Sequence, residues 1–311
     1  MHINYLILTP DGVGSTILQR LITITLYLEK VPVMNTHELT NGLVLKNGIA
    51  TKDFTLNYTQ SLDQIADILK KSTKETILVS RLAKYHIDSR KDSIKDQKNF
   101  FNFLNQFYNK KIMCVRENLF EYAMSWSIRD KSGVTNVYNR EDRKKVLQVS
   151  HVDEDYFLQK CKEYVAYYSW VEKYFTNLEI VSYESILKNG DLILEKLTGY
   201  KNTFTNNFGI SLSSILKKEY DLFGSLIKNS GNELSKQEKK SLIKYKQLSQ
   251  DLMKRNIILG TPIKNTTLKD KMHQIKNFNQ CLDKFRSFAK NYNWIDQSKI
   301  TYDFWNKTHI C

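Results

Sequence analysis

Short apolar runs and helix-period segments alternate from the start of the chain to about residue 200, and that alternation restricts the fold more than any other feature. Tyr5-Leu6-Ile7-Leu8-Thr9 reads as a buried strand. Ile17, Leu18, Leu21, Ile22, Thr25 and Leu28 then keep a helix period over 15–30. The pairing recurs. A helix over 62–69 leads to a strand at 75–80, and a helix over 100–108 leads to a strand at 111–115. Helices over 117–129 and 153–175 precede a strand at 178–182, which is followed by a helix through Leu192, Leu194 and Leu197. Strands that alternate with helices pair in parallel, because each crossover returns the chain to the same end of the sheet. The expectation is an α/β domain over 1–200, a three-layer parallel sheet with helices on both faces. Ligands of such sheets collect at the carboxyl ends of the strands.

Beyond residue 200 the pattern changes. Residues 200–232 give weak signals. Ser235-Lys236-Gln237-Glu238 is a capping box that opens a helix to about residue 256, and Gly260 and Pro262 break it. A second helix over about 267–292 places Leu268, Met272, Ile275, Leu282 and Phe285 near one face. Opposed apolar stripes predict a helical hairpin. Residues 201–311 are therefore expected to be a mostly helical C-terminal extension packed on the sheet domain, with a partner interface as the alternative use of the stripes.

Composition excludes several classes. A chain of 311 residues with 41% hydrophobic and 12% aromatic content can bury a core and is not disordered. It has no run of about 18 apolar residues, so no membrane span is expected. Asn4, Pro10 and Asp11 interrupt the first apolar run and no basic residue precedes it, unlike a secretion signal. Cys114, Cys161, Cys281 and Cys311 are widely spaced, which fits reduced thiols better than a disulfide frame or a zinc site, and no metal is expected. The net charge of +14 would attract nucleotides, sulfated or phosphorylated acceptors, nucleic acid or an anionic surface. The abundant Lys, Asn, Ile and Tyr equally fit an AT-rich coding sequence, and the lysines are dispersed. No recognised nucleic-acid module and no single basic stripe appears, so nucleic-acid binding is disfavoured.

Three segments carry possible chemistry. The first is Pro10-Asp11-Gly12-Val13-Gly14-Ser15-Thr16, a strand-to-helix turn with two glycines and two hydroxyls. Such a turn offers backbone N–H groups at a helix N-terminus, a geometry that favours phosphate or sulfate; an ordinary glycine turn with a Ser or Thr cap is the structural alternative. The Gly-Lys-Ser/Thr of a nucleoside-triphosphate loop is absent, which counts against a small-molecule or nucleoside kinase. The second is Arg116 at a strand end, with Ser125 more than two turns along the next helix and Arg129 one turn further on the same side. An arginine plus a hydroxyl suits a phosphate monoester, while an arginine alone more commonly serves a salt bridge. The third is Ser80-Arg81-Leu82-Ala83-Lys84-Tyr85-His86, also read as following a strand end. His86 is a candidate general base, and Arg81 or Lys84 could stabilise developing negative charge. A histidine that merely fills a loop is the alternative.

Together these segments resemble the sulfotransferases that use 3′-phosphoadenosine 5′-phosphosulfate (PAPS). In that family a Pro-x-x-Gly-Ser/Thr-Thr turn cradles the 5′-phosphosulfate, and Pro10 with Gly14-Ser15-Thr16 matches it one residue longer, bringing Gly12 into the turn. An arginine at a later strand end and a serine about two turns on hold the 3′-phosphate, and Arg116 and Ser125 look like those. The spacing, with Ala123 two before the serine, is most similar to the branch that includes bacterial trehalose-type enzymes. Tyr183-Glu184-Ser185-Ile186-Leu187 and Leu197-Thr198-Gly199 resemble a further family mark, a strand ending in Tyr-Glu-Asp-Leu followed by a helix and Leu-Gly. The resemblance covers about residues 1–200 and implies a P-loop NTPase-like sulfotransferase fold with PAPS as donor. Two family features are missing. The basic residue expected two before the Gly-Ser-Thr is Gly12, with Asp11 beside it, and the C-terminal Gly-x-x-Gly-x-x-Lys is absent. A carboxylate there would repel a phosphosulfate, and Arg81 or Lys84 could supply the missing charge.

Two readings from different classes follow. One is an active sulfotransferase in the host cytoplasm, moving a sulfuryl group from PAPS to a hydroxyl or amine acceptor. The Lys-, Asn- and Ile-rich usage also resembles sulfotransferase-like reading frames of marine tailed phages. The other reading is thus a binding or structural component of a phage virion, in contact with other virion proteins, that kept the fold and lost the chemistry.

Overall fold

The computed structural model describes residues 3–10, 12–47, 49–53, 60–72, 76–134, 140–216, 235–255, 257–258, 273–290 and 292. Five strands form one parallel sheet: β1 (Tyr5–Thr9), β2 (Val33–Glu38), β5 (Ile77–Ala83), β6 (Lys110–Val115) and β7 (Leu178–Ser182). Their spatial order is β2-β5-β1-β6-β7, and every neighbouring pair is parallel. A separate antiparallel ribbon joins β3 (Leu43–Lys46) to β4 (Ile49–Lys52). The protein is α/β, a parallel sheet flanked by helices.

The helices follow from the crossovers. They are α1 (Ser15–Leu28), α2 (Leu62–Lys71), α3 (Lys84–Asp88), α4 (Ile94–Phe107), α5 (Leu119–Ser132), α6 (Arg140–Leu147), α7 (Glu154–Tyr174), α8 (Tyr183–Thr198), α9 (Thr203–Phe208), α10 (Lys236–Lys254) and α11 (Phe278–Ala289). The step from β1 to β2 moves toward one edge of the sheet, and the steps from β2 to β5, β5 to β6 and β6 to β7 move toward the other. With right-handed connections, α1 lies on one face and α2, α4 and α7 on the opposite face. Contacts agree: α8 packs on α1, α2 packs on α4, and Phe101 of α4 meets the Trp170 ring of α7 edge-on at 5.4 Å.

Burial on both faces explains why β1 is apolar along its length, with all five residues buried. Helix α1 is buried from Leu18 through Leu26, so its polar residues bond inward. The Gln19 amide donates to the carbonyls of His37 (3.2 Å) and Val79 (3.1 Å). The Thr23 and Thr25 hydroxyls donate to carbonyls one turn back.

The described residues gather into two compact units, each drawn from separate stretches of chain. The first takes the residues up to Val115, then 167–216 and 235–258, and holds the whole sheet. In it, Tyr245 of α10 packs edge-on against Phe208 (5.6 Å) and beside Phe204 (6.2 Å) of α9, with the Arg20 guanidinium over its ring. The second takes 116–166 and 273–292. Its core is aromatic: the Phe120 ring meets Phe157 and Phe278 at 5.1 Å and Phe285 at 5.6 Å. The Asn277 side chain clasps Val152, accepting its N–H (3.2 Å) and donating to its carbonyl (2.9 Å). Gln274 donates to the carbonyls of Val146 and Val149.

Several local expectations are corrected. Strand β5 runs on to Ala83, so Arg81 is inside it rather than beyond its end. The capping box of Ser235 and Glu238 forms, but the helix expected over 267–292 is interrupted at 275–277, and α11 runs over Phe278–Ala289. Leu268 and Met272 lie outside the described residues. The apolar face of α10 packs on α9 in the first unit, and that of α11 packs on Phe120 and Phe157 in the second. Strand β2 and the β3–β4 ribbon were not anticipated. Cys114, Cys161 and Cys281 are buried thiols that form no disulfide, and Cys311 lies outside the described residues. Among the described residues no helix is long and apolar enough to cross a membrane.

Phe120 meets three other rings, so Phe120→Ala is expected to destabilise the second unit by about 3–5 kcal/mol. A lowered denaturant midpoint in an unfolding titration checks this; an unchanged midpoint would contradict a core built on that ring.

Candidate anion-binding site

The turn after β1 is shaped by its two glycines and held by two distant residues, Tyr183 and Cys114. Gly12 and Gly14 have φ of +70° and +79°, a region that costs a side-chain-bearing residue strain. Gly14 is the N-cap of α1, and a Cβ there would run into the ring of Tyr183. The carbonyl of buried Val13 accepts a hydrogen bond from the Cys114 thiol at 3.3 Å. The Thr9 hydroxyl donates to Ser15 Oγ at 3.0 Å. The first ladder bond of α1 runs from Leu18 N–H to the Gly14 carbonyl. The N–H groups of Ser15, Thr16 and Ile17 therefore precede the helix's own hydrogen bonds, at the positive end of its dipole, with no acid in the first turn. Pro10 opens the turn; Asp11 lies outside the described residues.

A cation meets this turn from β5. In register, Arg81 is level with Ile7 of β1 and Glu38 of β2. Its Nη1 donates to Thr16 Oγ1 and, at 3.4 Å, to Ser15 Oγ, while its Nε pairs with the Glu38 carboxylate. The Arg81 and Glu38 side chains are only 11% and 5% exposed. Breaking such a buried pair by truncating one partner costs about 3–5 kcal/mol. Glu38 comes from a bulge. Register shifts between Asn35 and His37, His37 takes φ +54°, and the extra residue, Thr36, bonds through its hydroxyl to Ser80. The Asn35 side chain accepts the His37 N–H at 2.9 Å, and Tyr108 Oη donates to Ser80 Oγ at 2.7 Å. A bulge that re-aims a side chain beside a candidate site is a recurrent device.

Of the residues proposed from the third sequence segment, Arg81 is the one these contacts bring to the turn. Lys84 and His86 lie on the short α3. Lys84 Nζ pairs with Asp88 at 2.6 Å, and the buried His86 ring lies 4.0 Å from that of half-exposed Tyr85.

Arg116 and Ser125 belong to the second unit. Arg116 directly follows β6. Its N–H donates to Tyr164 Oη at 2.8 Å, whose hydroxyl donates back to the Arg116 carbonyl at 3.1 Å. The guanidinium Nη2 pairs with Glu121 at 3.3 Å, in the first turn of α5, which Asn118 caps. Ser125 is half-buried in α5, one turn before Arg129.

Tyr183 and Glu184 are not a strand end: β7 stops at Ser182, whose hydroxyl caps α8 by accepting the Ser185 N–H at 3.0 Å. Gly199 closes α8 with φ +81°. Sequence reasoning missed Glu38, which no pattern marks, and Glu121, whose place in a first helical turn is a usual position for an acid. Among the described residues no cluster of three His, Cys, Asp or Glu could hold a metal ion. No family model and no curated protein matches the chain.

Gly14→Ala is expected to lose about 1–3 kcal/mol from backbone strain alone, plus the collision with Tyr183. Thermal unfolding of Gly14→Ala in the native and Tyr183→Ala backgrounds separates the two; wild-type stability for Gly14→Ala would contradict this turn.

Proposed function

We propose that the chain is a sulfotransferase-like protein of P-loop-like fold, binding PAPS and moving its sulfuryl group to a hydroxyl or amine. The observation that carries this reading is the Arg81 guanidinium bonded to the Ser15 and Thr16 hydroxyls at the head of α1. It brings a fixed cation to a turn that lacks its own, where N–H groups and a helix dipole already favour an oxyanion. Parallel strands with the turn at the carboxyl end of central β1 support the same reading.

In this reading Gly14, Ser15 and Thr16 hold the 5′-phosphosulfate through N–H and hydroxyl donors, and Arg116 and Ser125 hold the 3′-phosphate. Bound PAPS supplies a sulfuryl group on a good leaving group. The acceptor oxygen or nitrogen bonds to sulfur as the sulfur–oxygen bond to the nucleotide breaks. Adenosine 3′,5′-bisphosphate leaves with the electron pair, and His86 is the candidate base for the acceptor proton. Positioning and charge stabilisation carry such a transfer, and in this reading Arg81 offsets charge growing on the leaving oxygen.

A second reading rests on Glu38. Its carboxylate already neutralises Arg81 beside the turn, which suits a protein that kept the architecture as a binding or virion component and no longer needs a strong donor site. Calorimetry decides between them. Adenosine 3′,5′-bisphosphate is expected to bind, with Arg81→Ala and Arg116→Ala each weakening it about tenfold or more, about 1.4 kcal/mol, and added salt weakening it further. No heat at millimolar nucleotide would overturn the nucleotide reading and leave the structural one.

A further inference from the structure

The second unit holds a cluster of cations and aromatic rings that neither the β1 turn nor the Arg116–Glu121 pair uses. On α5 the Arg129 guanidinium carbon lies 5.0 Å from the centre of the Trp126 ring. From α7, Lys160 Nζ lies 5.2 Å from the same ring and 5.0 Å from that of Tyr156. Ser125 precedes Trp126 and stands four residues before Arg129, on one side of the helix. All five residues are half-buried, reachable from solvent yet partly removed from it.

The indole Nε1–H of Trp126 is buried and makes no hydrogen bond. A native buried donor without an acceptor calls for an explanation, and an absent ligand is one. The indole, guanidinium and ammonium groups have hydrogens to give and no lone pairs to offer, and the Ser125 hydroxyl can also donate. Lys160 is paired with Glu163 at 2.7 Å, and that carboxylate also accepts from Gln159 at 2.8 Å. Asp130 is the other acid acting on Tyr156. Burial opposes the Lys160 charge, yet Glu163 and Tyr156 hold its pKa above the ordinary value, so it is a cation at neutral pH.

We propose that Trp126, Arg129 and Lys160 form an oxyanion subsite that takes a sulfate or phosphate group. A tetrahedral oxyanion supplies acceptor lone pairs in several directions, which matches a set of donors from two helices. The subsite stands on the second unit alone and does not rest on the nucleotide reading. The group it takes belongs either to the 3′-phosphate of a nucleotide or to a separate sulfated or phosphorylated ligand.

Tryptophan emission tests this on the whole protein with inorganic sulfate and phosphate as probes. The wild type should show a saturable change at millimolar ion that Trp126→Phe lacks. The double variant R129Q/K160Q should need at least tenfold more ion, with circular dichroism checking that both variants fold. Thr16→Ala should keep the response, which separates this subsite from the β1 turn. Displacement of the ion by adenosine 3′,5′-bisphosphate, with no displacement by adenosine 5′-monophosphate, would assign the subsite to a nucleotide 3′-phosphate; displacement by neither would assign it to a separate ligand. The absence of a saturable response in folded wild type, or an unchanged response in R129Q/K160Q, would overturn the proposal.

Discussion

Everything in the first unit is arranged around a helix that has no solvent face for most of its length. Helix α1 sits against the sheet on one side and α8 on the other, and its residues 18–26 are buried. A helix enclosed in this way must satisfy its polar side chains internally. Gln19 does so by tying the carbonyls of His37 and Val79, which joins β2 to β5 above the helix. Thr23 receives the Asn35 side chain, and Asn35 in turn fixes the bulge that presents Glu38. The constraint thus runs from a buried helix to a strand irregularity and on to the charge beside the candidate site.

The same constraint shows which parts of the fold could be read in advance. Strands β1, β5 and β6 and the long helices carry apolar periods, and hydrophobic patterning reveals elements that bury apolar residues. Strand β2 buries Asn35, Thr36, His37 and Glu38 instead. Asn35, Thr36 and Glu38 are held by specific partners, and no periodicity records a partner. The β3–β4 ribbon did leave a local signal, since Asn47-Gly48 between Leu45 and Ile49 is a strong hairpin dipeptide. Arg81 was misplaced by the same mechanism as β2. A serine and an arginine inside β5 look like its end, because the pattern does not show that Thr36 and Tyr108 receive one and Ser15, Thr16 and Glu38 the other.

The candidate site was legible to the extent that backbone geometry is written into residue type. Gly12 and Gly14 mark a strand-to-helix turn in the sequence, and both take positive φ in it. What holds that backbone was hidden, since Cys114 and Tyr183 are distant in sequence and chemically ordinary. The electrostatics were hidden too. Arg81 and Arg116 each face a carboxylate, from β2 and from the start of α5 respectively. Charges so paired are held in fixed geometry before any ligand arrives, which lowers the ordering cost of binding but obliges an anion to compete with a resident acid.

The hydrogen bonds of Tyr164 to the backbone of Arg116 have a consequence for chain entropy. Between β6 and β7 the polypeptide leaves the sheet at Val115 and returns at Leu178. Closing a span of that length is unfavourable, by about 0.6 kcal/mol more for each doubling of the loop. Tyr164 pins the far end of the excursion to its beginning. Once that clasp forms, the last strand has only the residues after Tyr164 left to close, and a remote pairing becomes a nearly local one.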